Sequence, residues 1–326
     1  MQVETLIEEF RTIAKQNPGP APDTARWVRG NAPDHVVFGM ITHGNETGSL
    51  PAIKPFVEFL EQNDTFKGTV TIFLGNASAA LQNCRYLEAD LNRVFTEQPS
   101  ESAERARAVE LSPILENATL LVDFHQTILA SHQPFYIFPF HNKGYQWARY
   151  LKGAKSLVTR HPNYQFSAGS MCTDEFVLSK GGAGVTLEMG QLGISEWATN
   201  LTLETMKRAV KGSANAPDLS TLQALIKEEA LPDLDFFEIT YAEPFDDPHM
   251  ALSPNWINFA KVSKDTILGH RSDAKSFASP REGMLLFPKY PPRHSNGAAK
   301  DPVPKEIYNL ASPMDAHPLT LWPELR

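Results

Sequence analysis

The tetrad His43-Gly44-Asn45-Glu46 sets an imidazole and a carboxylate three residues apart. Two such groups supply a nitrogen and an oxygen to one zinc ion, and catalytic sites of the His/Glu/His type add a third ligand and keep a position open for water. The next histidine is His125, in Leu121-Val122-Asp123-Phe124-His125. A lone histidine is more often a hydrogen-bonded core or surface residue than a ligand, but here it closes a three-ligand set. Glu188, in Val185-Thr186-Leu187-Glu188-Met189-Gly190, ends another apolar run. A carboxylate there ordinarily caps an element or pairs with a cation. Beside a metal it is also the base that hydrolysis needs to take a proton from the attacking water.

Between the first and third ligand candidates lies Arg85-Tyr86-Leu87-Glu88-Ala89-Asp90-Leu91-Asn92-Arg93. Standing alone it would read as a solvated segment with arginines at its rim. Bracketed by ligands, the same residue types have distinct uses. A guanidinium grips a carboxylate through its planar fork. It also stabilises an oxyanion developing on a carbonyl. A carboxylate holds a ligand imidazole in one tautomer from behind.

All of these residues must be carried by elements that end near one another. Strands are expected at Val36–Ile41, Thr69–Leu74, Thr119–Phe124, Pro134–Phe138 and Gly184–Leu187, and helices at Gln2–Gln16, Leu50–Gln62, Ser102–Glu116, Gly144–Leu151 and Trp197–Lys211. Short apolar runs alternating with helical lengths predict an α/β fold, a parallel or mixed sheet with helices on both faces. The tetrad and His125 then sit at carboxyl ends of neighbouring strands, where open α/β sheets hold ligands. Lys211-Gly212-Ser213-Ala214-Asn215-Ala216-Pro217 reads as a loop or linker. Beyond Leu231, the runs at Phe236–Tyr241, Trp256–Phe259 and Met284–Pro288 are β-type and separated by Pro, Asp and Gly. The division expected is a catalytic domain over 1–215 and a smaller β-rich domain over 232–326, whose tail from Pro291 wraps the surface.

Bulk properties bound the function. A net charge of -8 argues against nucleic acid or an anionic membrane as the main partner. The acidic start Met1–Phe10 reads as an amphipathic helix and not as a secretory signal, and no apolar run approaches a membrane span. Two cysteines, Cys84 and Cys172, without a CxxC pair read as small buried residues in a reduced, cytoplasmic setting. Lys180-Gly181-Gly182-Ala183-Gly184 lacks the spacing of a phosphate loop and reads as a turn before a strand. His132, His141 and His161 have no usable partner spacing.

Taken in order, His43–Glu46, Arg85-Tyr86 through Asp90–Arg93, Asp123–His125 and Thr186–Gly190 resemble the succinylglutamate desuccinylase/aspartoacylase family of zinc-carboxypeptidase-like hydrolases. The resemblance spans about Val36 to Gly193 and continues more weakly at Ile257–Phe259 and Leu286–Pro288. It implies one zinc held by His43, Glu46 and His125, with Glu188 as general base and Arg85 polarising the scissile carbonyl. It further implies that Asn92 and Arg93 grip a substrate carboxylate and that Asp90 orients His43. The implied activity is hydrolysis of an N-acyl amino acid, a small-molecule substrate, by a homo-oligomer. Gln126–Leu129 lacks the arginine that desuccinylases tend to carry after the third ligand, so the acyl group stays open. Two rival readings are a metallocarboxypeptidase or amidase acting on short peptides with the same zinc and Arg93, and a non-catalytic binding protein. The latter predicts a missing base or oxyanion arginine, and both Glu188 and Arg85 are present.

Overall fold

A computed structural model describes residues 2–96, 101–164, 169–272, 275–300 and 303–326. In chain order the strands are β1 (Thr24–Val28), β2 (His35–Met40), β3 (Thr69–Leu74), β4 (Leu120–Thr127), β5 (Phe135–Ile137), β6 (Ser156–Thr159) and β7 (Ala183–Gln191). They continue as β8 (Asp235–Pro244), β9 (Ala251–Leu252), β10 (Ala260–Val262), β11 (Ile267–His270), β12 (Ser276–Ala278), β13 (Gly283–Leu286) and β14 (Glu306–Pro313). The helices are α1 (Val3–Gln16), α2 (Ile53–Glu61), α3 (Ala77–Leu81), α4 (Ala103–Glu116), α5 (Asn142–Leu151), α6 (Thr173–Ser179), α7 (Glu196–Asn215), α8 (Leu219–Glu228) and α9 (Pro318–Leu321).

A mixed sheet of 11 strands runs in the order β1-β3-β2-β4-β7-β5-β6-β8-β14-β13-β10. Its centre, β3-β2-β4-β7, is parallel. Strands in such a position are covered on both faces and need apolar side chains on each. Accordingly β2 is buried at all six positions. Val36 and Phe38 face one core with Ile7, Phe56, Leu151 and Met206, while Val37 faces a second with Leu111, Leu115 and Val177. The expected α/β sheet with helices on both faces is therefore present, with a β-rich C-terminal part. Among the described residues no helix is long and apolar enough to cross a membrane.

The sheet crosses the expected domain boundary without a break, because β6 pairs in parallel with β8. The tail also departs from expectation. Instead of wrapping the surface, Glu306–Pro313 inserts as β14 between β8 and β13, burying Ile307, Tyr308, Leu310 and Ala311. The expected linker is helical through Asn215. Gly212 explains this: a β-carbon there would lie 2.5 Å from the Tyr150 ring, so the glycine lets α7 press against α5. Trp256–Phe259 forms no strand: Asn258 makes an isolated bridge to Ser131, and the strand begins only at Ala260. The glycines at 181–184 turn into β7 as expected, Gly181 having φ +87°.

Candidate active site

Three adjacent strands deliver the site from their carboxyl ends. After β2 the chain reverses at Ile41, whose φ of 48° is a strained value for a β-branched residue. The turn is held by Gly75 N donating to Met40 O (2.8 Å) and Asn76 N to Ile41 O (2.9 Å). His43–Glu46 follow. A β-carbon at Gly44 would sit 2.4 Å from Ala80 N, so only glycine lets this loop lie on α3. His125 comes from the end of β4, and Glu188 stands directly across from it on β7.

His43 Nδ1 lies 2.8 Å from Glu46 Oε1, His125 Nδ1 lies 2.9 Å from Glu46 Oε2, and the two Nδ1 atoms are 3.1 Å apart. All three side chains are buried, and their donor atoms lie within 4.8 Å of one another. Glu46 is further fixed by Gln126 N, which donates to Oε2 (3.0 Å). On the outer side, His43 Nε2 meets Asp90 Oδ1 at 3.0 Å. His125 Nε2 lies 3.1 Å from Asp123 Oδ2, off the line of a hydrogen bond. A carboxylate stands behind each ring, and with the rings protonated at Nε2 both Nδ1 lone pairs point inward. Two lone pairs and a carboxylate then face one point, an arrangement that repels itself unless a positive charge lies between. The crowding of carboxylates and imidazoles also shows in their titration. Burial raises the Glu46 pKa, but His43 and His125 more than offset this and hold it below the ordinary carboxylate range. Burial lowers that of His125, but Asp123 and Glu46 reverse the effect and hold it well above the ordinary imidazole range. Two imidazole nitrogens and a carboxylate oxygen are the donor set of a zinc site with an open position, so the residues fit the ion.

Glu188 is buried, and its Oε2 has no hydrogen-bond partner. Burial and then the charge of Glu46 raise its pKa to about 7, against the pull of His125, His43 and Arg85. A carboxyl group poised near neutrality beside a metal-type donor set suits a general base. Arg85 lies at the rim with 34% of its side chain exposed. Its Nη1 is 3.2 Å from Glu46 Oε1, its Nη2 2.8 Å from His43 Nε2, and Nη2 also donates to Asp90 Oδ2 (3.2 Å). Burial raises the Asp90 pKa, but His43, Arg85 and Arg93 outweigh it and keep this carboxylate ionised.

Residues 33–219 match the model of the succinylglutamate desuccinylase/aspartoacylase catalytic domain. The chain belongs to the succinylglutamate desuccinylase/aspartoacylase family. It is 26% identical to a succinylglutamate desuccinylase of Pseudomonas syringae pv. tomato over 83% of this chain and 82% of that protein. It is 24% identical to one of Paraburkholderia xenovorans over 78% and 76%. The solved succinylglutamate desuccinylase of Vibrio cholerae superposes with a TM-score of 0.66 at 15% identity, covering 89% of this chain and 85% of that one.

Asn92 and Arg93 follow directly on Asp90, whose Oδ1 accepts from Asn92 N (2.9 Å). Asn92 Oδ1 accepts from Thr173 N (2.9 Å), so only its amide NH2 is left to meet a ligand. Arg93 Nη1 donates to Asn92 O (2.6 Å) and Cys172 Sγ (3.3 Å). Cys84 and Cys172 are both free thiols. His132, His141 and His161 stand apart: His132 is exposed, His141 contacts Pro139 O, and His161 pairs with Glu324.

Several contributors were missed from sequence. Asp123 is clamped by Thr42 Oγ1 (2.8 Å) and Thr173 Oγ1 (2.6 Å), and a β-carbon at Gly39 would lie 2.5 Å from its Oδ1. The signal was available, since Asp123 and His125 are two apart on a strand and share a face. Gln126, following the third ligand, spends its amide on structure. Its Oε1 accepts from Gly48 N (2.8 Å), and its Nε2 donates to Gln191 O (2.8 Å) and Gly193 O (2.9 Å).

Proposed function

We propose that the chain is a zinc-dependent amidohydrolase that cleaves the linear amide of an N-acyl amino acid. The observation that carries this reading is the inward-facing donor set of His43, Glu46 and His125 with the unpartnered Glu188 carboxyl oxygen beside it. Family membership supports the deacylase part.

Zinc, when bound by His43, Glu46 and His125, supplies Lewis acidity toward a water and the scissile carbonyl. Every other task falls to side chains of the protein. Glu188 takes the proton from the attacking water and returns it to the leaving amine. Arg85, tethered at the rim by Asp90, offers N–H groups to the oxyanion. Arg93 and the Asn92 amide hold the amino-acid carboxylate and so fix the carbonyl relative to Glu188. Asp90 and Asp123 keep the two rings oriented. A cytoplasmic setting, with both thiols reduced, and assembly as a homo-oligomer belong to the same reading, as does a catalytic unit over 1–215 with the strands after 232 flanking it.

The test is turnover of the zinc-loaded protein on N-acetyl, N-succinyl and longer N-acyl amino acids, with dipeptides alongside. Release of free amino acid from an N-acyl substrate, lost on chelation and restored by zinc, is the expected result. Turnover of dipeptides alone would replace the deacylase with a peptidase.

A further inference from the structure

Arg85 and Asp90 both act from the short segment 85–90, which has no regular secondary structure of its own. A segment of this kind wanders unless its backbone is tied down, and the ties here converge on one side chain. Glu104, in the first turn of α4 and only 2% exposed, accepts four hydrogen bonds. Oε1 receives Leu87 N (2.7 Å) and Asn76 Nδ2 (3.0 Å), and Oε2 receives Glu88 N (3.2 Å) and Ala89 N (3.0 Å). Three consecutive backbone donors thus point at one buried carboxylate. The contact is reciprocal, since Glu88 Oε2 accepts from Ala103 N (2.6 Å) at the helix start. Asn76 in turn caps α3, the helix on which the His43 loop rests, by accepting from Ala79 N (3.2 Å).

We propose that Glu104 is a positioning residue that fixes segment 87–89, and through it holds Asp90 behind His43 and Arg85 over Glu46. The part of this that concerns the metal rests on the hydrolase reading above. An ordinary capping acid at a helix N-terminus would need one or two of its own helix's N–H groups. Glu104 spends both oxygens on another segment, the one whose two ends carry Arg85 and Asp90. Arg85 O also accepts from Gly44 N (2.9 Å), so displacement of the segment is felt inside the ligand loop.

The test is Glu104→Gln, whose amide NH2 would face backbone N–H donors in place of an acceptor. In the metal-free protein, hydrogen exchange of the Leu87, Glu88 and Ala89 amides is expected to quicken by about ten- to a hundredfold, the value of a hydrogen bond to a charged acceptor. In the full chain, zinc affinity measured by chelator competition is expected to fall by about tenfold, the usual effect of disturbing a partner behind a ligand. The same substitution made on an Asp90→Asn background should add much less than that factor, because its effect passes through Asp90. Unchanged exchange at the three amides overturns the proposal, and so does a full, multiplicative loss of zinc affinity on the Asp90→Asn background, which would mark a general loosening. If Glu104→Gln does not fold, Asn76→Ser, which keeps a cap and withdraws one donor, must quicken the same exchange by a smaller factor. A wild-type chain that binds no zinc would sink the hydrolase reading, while the exchange experiment still decides the clip.

Discussion

Replacing Glu188 by glutamine separates a chemical role from a structural one. The change keeps the volume of a buried side chain and removes only its ability to accept a proton. A structural acid would lose partners: breaking a buried ion pair costs about 3–5 kcal/mol. Glu188 has no such pair among the described residues, and its Oε2 is without a hydrogen bond. Folding stability is therefore expected to stay within about 1 kcal/mol of wild type, the scale of one ordinary hydrogen bond. Rate is another matter. A general base contributes roughly 10²–10⁴-fold, or about 3–5 kcal/mol of barrier. Glu188 is the acid across from His125 in the β4–β7 register, and no second buried carboxyl with an unpartnered oxygen is found among the described residues. Steady-state assays on an N-acyl amino acid, urea titration and zinc content by metal analysis measure the three quantities. A variant that holds zinc, melts normally and loses turnover by a factor of 10² or more bears out the role. Turnover within tenfold of wild type, or loss of zinc together with unfolding, refutes it.

Asp123→Asn should weaken zinc affinity by about ten- to a hundredfold, since it loosens His125 from behind; an affinity within twofold of wild type in chelator competition would show that Thr42 and Thr173 hold the strand end without it. Arg85→Ala and Arg93→Ala should divide the kinetic parameters. The first lowers kcat by about 10²–10³-fold through the oxyanion, and the second mainly raises KM; equal effects on both parameters in both variants would dissolve the distinction. His35, buried with Nε2 2.8 Å from Thr71 Oγ1, has a pKa lowered to about 4 by burial, with help from Arg26. The unfolded chain binds a proton there first, so the stability His35 contributes is full above about 6.5 and is lost as pH falls toward 4. The loss is at most about 3 kcal/mol. Urea midpoints of wild type and His35→Gln at pH 7 and 4.5 check this, and equal acid sensitivity in the two would rule it out.

How far the sequence could be read depended on what its polar residues were doing. β3 was legible to the residue because its apolar side chains Val70, Ile72, Phe73 and Leu74 are all buried and its two threonines are β-branched. β4 and β7 were cut short at Phe124 and Leu187, although pairing runs on to Thr127 and Gln191. Both were truncated just before His125 and Glu188, and these two and Gln126 are buried although polar, against the rule that ends a strand where its apolar run ends. The tail failed for a related reason. Its prolines and charges read as surface, and the five residues Ile307–Ala311 that carry β14 only become a strand once β8 and β13 exist to receive them. In the site, His43, Glu46, His125 and Glu188 were legible as residue types on or just after strands, and Arg85 by its place between them in sequence. Their supports were not, since Thr42 reaches Asp123 across 81 residues and Thr173 reaches it across 50.

Those supports bear on why the site needs a sheet at all. β2, β4 and β7 are immediate neighbours, and their registers set Gly39 beside Asp123 and His125 beside Glu188. A slip of one residue in β4 would turn His125 to the opposite face of the sheet. Apolar packing resists such a slip weakly here, because β4 is buried on both faces and offers apolar side chains to each. The polar contacts discriminate more sharply. Asp123 fits only opposite Gly39, where a β-carbon would collide with it, and only where both threonine hydroxyls can reach its carboxylate. An unpaired buried carboxylate in any shifted register would lose hydrogen bonds worth about 1.5–3 kcal/mol each. Asp123 thus stands behind His125 and also fixes the strand alignment that sets His125 opposite Glu188, so under the proposed mechanism one residue ties ligand placement to base placement.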